Sequence, residues 1–334
     1  MSFKDFVKSL LLKSRMISSA AKLATPGVAI LRYHSVQEDP EHFSNTIGTG
    51  IIHSKAVFKE QMELIAQRFN PVTLNDILLF INGEKNIRRK GVAVTFDDGF
   101  LDNYETAAPI LNHYGITAAF FITVNSVETR KPPWFYRLRK AFFTTRSKDW
   151  LDSGEGQVWK LDNQEEKDAA FIFACEKCAR LVGDSQEVTV KRIEDMLEVD
   201  ISKKADNIMM TWEQIRQLRK VGHIIGSHTL THPNLAYLEE TDLRRELILS
   251  KEMIEDKLNT PIIHFSYPSP ILQPHWNKNT LEITKQAGYQ TAVTCTAGLV
   301  RISTNPLSLN RIWVPGDRNE FLWNLESTFL GLQM

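Results

Sequence analysis

An α/β fold built on a parallel sheet is the class this sequence predicts, and three observations predict it. Short apolar runs such as Val28–Tyr33 and Val92–Phe96 read as buried strands. Stretches of helical period lie between them, several of them closed by glycine. About seven strand–helix units follow one another, enough to close a parallel sheet into a barrel, whose functional residues sit at the C-terminal strand ends.

In chain order, Phe3, Phe6, Val7, Leu10 and Leu11 recur at helical spacing with lysines opposite, which predicts an amphipathic helix over residues 1–27, ended by Pro26-Gly27. It docks on its own domain or lies on a membrane surface. Val28–Tyr33 is the first strand and ends at His34. A helix over Val57–Phe69 leads to a second strand, Val92–Phe96, ending in Asp97-Asp98-Gly99. Asp102 begins a helix that stops near Gly115, and Thr117–Val124 is the next strand. Downstream come a helix over Trp212–Val221, a short strand His223–Gly226 leading into His228, a helix over Leu243–Leu258 and a strand Ile262–Tyr267. A helix over Leu281–Ala287, strands Thr291–Cys295 and Leu309–Val314, and a helix over Phe321–Leu332 complete the chain. The barrel is thus assigned to residues 28–128 and 208–334.

Residues 129–207 break the rhythm and read as an inserted, mostly helical subdomain. Its first part, 130–148, holds seven basic and no acidic residues, interleaved with Trp134, Phe135, Tyr136, Phe142 and Phe143. This stretch meets a phosphate-bearing substrate or an anionic membrane, or it pairs with the acid-rich part that follows.

Composition narrows the function. Forty basic residues balance forty acidic ones in 334, which argues against a dedicated nucleic-acid binder. Three cysteines are too few for a disulfide framework, and Cys175 and Cys178 read as core residues. Lys8, Lys13 and Arg15 break the N-terminal apolar stretch, so no secretory leader is expected and a soluble, cytoplasmic protein is.

Two motifs carry chemistry. Thr95-Phe96-Asp97-Asp98-Gly99 puts adjacent carboxylates at a strand end, which is costly unless a cation or proton offsets them. Side chains alternate along an extended chain, so one carboxylate can bind metal while the other faces substrate. The same residues also suit a plain turn and helix cap. The second motif is Ser227-His228-Thr229-Leu230-Thr231-His232-Pro233. On one helical turn His228 and His232 share a face. With Asp98 they make three protein ligands and leave positions open, the pattern of a catalytic metal site.

Together these motifs resemble the polysaccharide deacetylases of carbohydrate esterase family four, over roughly residues 28–125 and 208–316. The resemblance implies a distorted parallel (β/α) barrel and metal-dependent removal of an N-acetyl group, less readily an O-acetyl group, from a carbohydrate. It implies Asp97 as general base, Asp98, His228 and His232 as ligands, and the amide of Ser269, in Phe265-Ser266-Tyr267-Pro268-Ser269-Pro270, as oxyanion donor. Pro270 stands where the family usually has glycine, and Ser266 where it has the arginine that orients the base; Arg311 is expected to fill that role. The chain has no histidine after His275, so the family's late proton donor is missing. His34, in a Tyr-His-x-Val context like that of an exopolysaccharide deacetylase branch with an early acid, is expected to replace it. His34 also reads as a core histidine that caps the first strand. Tyr267 is expected to contact substrate beside the oxyanion site. Trp276, with His275, is expected to line the sugar cleft or to be loop; His264 reads as core, and His42, His53 and His113 carry no assigned role.

Zinc is the expected ion, with Co2+, Ni2+ or Mn2+ as alternatives. The expected substrate is an N-acetylated amino sugar, lipid- or nucleotide-linked. Two other readings use the same residues. One is a non-haem iron enzyme, against which the alternating βα units weigh; the other is a degenerate sugar-binding protein, which has no use for a second carboxylate at Asp97.

Overall fold

The computed structural model describes residues 27–331 except 44–46, 49, 88–89, 153, 155 and 200–207. The helix expected over the N-terminal residues lies outside the described residues. The main sheet has eight strands: the two-residue Asn70–Pro71, off the path beside Gly91 and Val92, and seven along it, β1 (Val28–Tyr33), β2 (Gly91–Phe96), β3 (Ala118–Ile122), β4 (Ile224–Ser227), β5 (His264–Ser266), β6 (Thr291–Val293) and β7 (Ile312–Trp313). Their order is β6-β5-β4-β3-β2-β1-β7, and every pair is parallel. From β1 to β6, neighbours in the sheet are neighbours in sequence, as right-handed βαβ crossovers produce. Leu309, just before β7, bridges Val293 of β6, and β7 itself pairs with β1. The sheet therefore curls on itself into a distorted barrel. The expected strand Leu309–Val314 is divided between those two contacts, which is why only two of its residues are regular strand.

Both faces of the sheet are covered, so β2 and β3 are buried at every residue. Phe96 stacks on Phe120 at 5.0 Å and on Tyr33 at 5.4 Å, tying the three strands that lead to the site. Gly226 in β4 is required by space: a Cβ there would lie 2.6 Å from the Phe121 ring and 2.8 Å from the His264 carbonyl. This closeness draws β4 against its neighbours immediately before His228. The helix expected from Asp102 opens as a π-turn, Asn103–Ala107, before the α-helix Ala108–His113.

Between β3 and β4 come helices Trp134–Thr144, Gln164–Cys178 and Gly183–Met196, with an antiparallel hairpin of Asp149–Leu151 and Val158–Lys160. They share an apolar cluster of their own that includes Trp134, Leu138, Phe142, Trp150, Cys178 and Leu197. Cys175 and Cys178 are buried, and burial pushes the Cys178 thiol up to about 12. The basic stretch finds acids in the part that follows. Arg137 grips Glu194 at 2.8 and 3.0 Å, Lys131 meets Glu187 and Lys148 meets Asp162. Arg139 lies over the Phe143 ring. Pairing with the acidic part thus accounts for these cations. The chain returns to the barrel by bonding Gly99–Leu101 with Ile208–Met210, directly beside the Asp97-Asp98 turn. Among the described residues no helix is long and apolar enough to cross a membrane.

Candidate active site

The strand ends bring the two motifs together. The Asp97 amide bonds the Tyr33 carbonyl at 3.1 Å, the last rung between β2 and β1. The chain then turns sharply, with φ of 76° at Asp98 and 88° at Gly99. Gly99 adopts this conformation without a steric penalty; Asp98 does so at a cost that neighbouring structure must offset.

The histidine motif is not a helical turn. Residues 228–232 form a loop, and Thr229 and His232 both have positive φ, 70° and 60°. The loop is held by Glu246, on the helix Glu240–Leu258, whose carboxylate accepts from the amides of Leu230 (2.9 Å) and Thr231 (3.0 Å) and from the Thr231 hydroxyl (2.7 Å). The outcome for chelation is the same as on a helix. The Nε2 atoms of His228 and His232 each lie 3.5 Å from Asp98 Oδ1, and ligand atoms of the three residues fall within 4.8 Å of one another.

These three residues fit a cation. His228 Nδ1 donates to the Ser266 carbonyl at 2.7 Å, which leaves the Nε2 lone pair facing Asp98. Asp98 Oδ1 is buried with no hydrogen-bond donor. Burial, then the neighbouring Asp97 charge, push the Asp98 carboxyl up to about 7. Burial also holds His228 below the ordinary imidazole range and His232 well below it. Three acceptors that converge without a donor are what a divalent ion satisfies.

Asp97 has the opposite surroundings. Arg311, just before β7, places Nη1 2.8 Å from Oδ1 and Nη2 2.7 Å from Oδ2. The guanidinium is itself fixed by the Thr294 carbonyl and the Ser266 hydroxyl. Burial opposes ionisation of Asp97, but the Arg311 charge holds its carboxyl well below the usual range. His34 Nε2 stands 4.0 Å from Asp97 Oδ2. Burial dominates at His34 and lowers it to about 3 against the pull of Asp97.

These groups share a pocket of about 330 Å³. Ser269 and Pro270 form part of its rim, and Ile51, Phe135 and Phe171 give it an apolar wall. Trp276 and His275 line an adjoining groove with Cys295. Tyr267 is a correction to the expectation. It is buried away from the pocket, its hydroxyl bonded to the Leu307 carbonyl at 3.0 Å and its ring stacked on Trp276, so it supports the loop from behind. His264 is buried between Thr291 and Asn75.

Several site residues were not anticipated. Tyr136 donates to Asp98 Oδ2 at 2.7 Å, Trp134 donates to the His232 carbonyl at 2.9 Å, and the Phe135 ring lies 4.6 Å from the His232 ring. The first turn of the helix Trp134–Thr144 therefore closes the side of the pocket that holds Asp98 and His232. Asp102 accepts from Ser35, the Val36 amide and Gln37 and so fixes the turn after His34. The run Trp134-Phe135-Tyr136 after two prolines was the available signal for the first group.

The sequence matches the family model described as polysaccharide deacetylase over residues 84–158 and 187–292, more than half of the chain. The YxkH protein of Bacillus subtilis (strain 168), whose name assigns it provisionally to the polysaccharide deacetylases, is 22% identical over 289 residues, 86% of this chain and 71% of that one. The fold is similar to that of the Streptococcus pyogenes deacetylase PplD in complex with acetate, with a TM-score of 0.60 and 21% identity, covering 91% of this chain and 99% of that one. It is also similar to a de-N-acetylase from Aggregatibacter actinomycetemcomitans, with a TM-score of 0.58 and 16% identity, covering 89% and 99%.

Proposed function

The chain belongs to the polysaccharide deacetylase family, and on that premise we propose that it removes an N-acetyl group from an amino sugar in a glycan or glycan precursor. The observation that carries this reading is one pocket holding an arginine-bound carboxylate, Asp97, beside Asp98, His228 and His232, whose ligand atoms converge within 4.8 Å of one another. A divalent ion on Asp98, His228 and His232, most simply zinc for this donor set, supplies Lewis acidity to the acetyl carbonyl and to water.

The chain's own groups do the rest. Asp97 accepts the proton of the attacking water, and Arg311 fixes the carboxylate's orientation. A C–O bond forms at the acetyl carbon and the C–N bond breaks. His34 gives the leaving nitrogen its proton, so the products are acetate and a free amine. Because burial leaves His34 neutral at rest, that proton reaches it through Asp97, 4.0 Å away. The Ser269 amide at the rim is the donor to charge growing on the acetyl oxygen. The pocket's aromatic and aliphatic wall suits the face of a pyranose ring.

The test is acetate release from a panel of N-acetylated sugars, lipid- and nucleotide-linked ones included, with and without chelator, on wild type and Asp97→Asn. Chelator-sensitive release that disappears in the variant is the expected result. A protein that binds these sugars and releases acetate from none of them would overturn the reading.

A further inference from the structure

We infer that the substrate carries an anionic group, a phosphate or a carboxylate, close to the acetamido group, and that Arg32 is the residue that recognises it. The inference rests on the deacetylase reading for the identity of the sugar and on separate observations for the charge.

Arg32 is the penultimate residue of β1, in register with Thr95 of β2 and Trp313 of β7. Side chains alternate along a strand. Tyr33 goes into the core against Phe58 and Phe96, so Arg32 points into the barrel mouth. There it lines the same pocket as Asp97, Asp98 and the two ligand histidines. Its side chain is partly exposed in that pocket.

Among the described residues Arg32 has no carboxylate partner. Its Nη1 bonds the Cys295 sulfur, a weak acceptor, and Cys295 in turn donates to the Ser269 hydroxyl. Cys295 lines the adjoining groove, so the guanidinium stands where the two cavities meet. A guanidinium offers a fork of donors that matches a phosphate or carboxylate, and leaving it inside a pocket without an acid is costly unless a ligand completes it.

The charge sum supports this. Arg311 cancels Asp97 through two hydrogen bonds. Asp98 is the one remaining acid in the pocket and belongs to the ion. With a divalent ion bound, the pocket is net positive, because no acid among the described residues offsets Arg32. A neutral glycan gains nothing from that field; a glycan phosphate or a uronic acid does.

The experiment compares three ligands of one size: methyl N-acetylglucosaminide, N-acetylglucosamine 1-phosphate and N-acetylglucosaminuronic acid. Affinity is measured by calorimetry on the zinc-saturated and the chelated full-length protein, and acetate release is followed separately. At least one anionic ligand is expected to bind roughly tenfold or more tightly than the neutral one. The preference should survive chelation, shrink as salt rises, persist in part in Arg32→Lys and fall to about parity in Arg32→Gln. The phosphate and uronate arms tell which anion the site reads. Equal affinity of wild type for all three ligands, or an unchanged preference in a folded Arg32→Gln, would overturn the inference. Failure to release acetate from any of them bears on the deacetylase reading and leaves the affinity ratio to decide this one.

Discussion

Asp97 and Asp98 are consecutive, equally buried and chemically opposite. Asp97 is gripped through both oxygens by Arg311, and its charge is complete within the protein. Among the described residues Asp98 has one donor, Tyr136, and otherwise faces two imidazoles whose burial opposes their charging. One half of the site is finished by the fold, and the other offers three ligand residues that an ion would complete. The difference explains how adjacent carboxylates coexist: the strand sends their side chains to different partners, Arg311 on one side and two histidines on the other.

The largest effect that would sharpen this comparison is on the Asp97 half. If His34 supplies the proton to the leaving nitrogen, His34→Gln lowers kcat on an N-acetyl sugar by about 10²- to 10⁴-fold. It spares an activated acetate ester, whose leaving group needs no proton. Equal losses on both substrates would remove His34 from that role. Next is the buried pair. Arg311→Met leaves Asp97 charged and unpaired, which costs about 3–5 kcal/mol of stability by denaturant unfolding at neutral pH. Because the folded-state pKa of Asp97 is depressed, that stability is present above its unfolded value and is lost as pH falls below it. A wild type whose stability is flat below pH 4 would contradict the pairing.

His264 shows what burial alone does, away from any ion. Burial lowers it from 6.5 to about 4. Its stability contribution is full above pH 6.5 and is lost as pH falls toward 4, about 3 kcal/mol over that window. Unfolding measured at pH 7.5 and 4.5 should show a smaller acid loss in His264→Gln than in wild type. The smallest effect tests the insert. Tyr136→Phe removes the one donor on Asp98 and should weaken metal affinity roughly 10- to 100-fold, with little change in the kcat of the saturated protein. Unchanged affinity would make the Tyr136 contact incidental.

The strands that carry the site were legible in the sequence because they are short apolar runs ending in chemistry: Val28–Tyr33 before His34, and β2 before Asp97-Asp98. So was the grouping of Asp97, Asp98, His228 and His232 in one pocket, since both motifs are local. The helical turn assigned to His228 and His232 was wrong for a physical reason. A spacing of four serves a helix and a loop equally, and here Glu246 and two left-handed residues impose the loop. Tyr136 was illegible because its contact with Asp98 spans 38 positions and depends on how the insert folds back. Arg311 was legible as a strand-end arginine, but its grip on Asp97 exists only because the segment before β7 lies between β6 and β1. Tyr267 failed as a substrate contact because strand alternation turns it into the core beside Phe265.

The measurement that tests the central claim most directly is zinc binding by calorimetry, alongside acetate release, for wild type, Asp97→Asn and Asp98→Asn. The account predicts that Asp97→Asn binds one equivalent as tightly as wild type yet releases no acetate, and that Asp98→Asn loses the ion and the activity together. Zinc bound with wild-type affinity by Asp98→Asn, or lost from Asp97→Asn, would contradict the division of the two carboxylates.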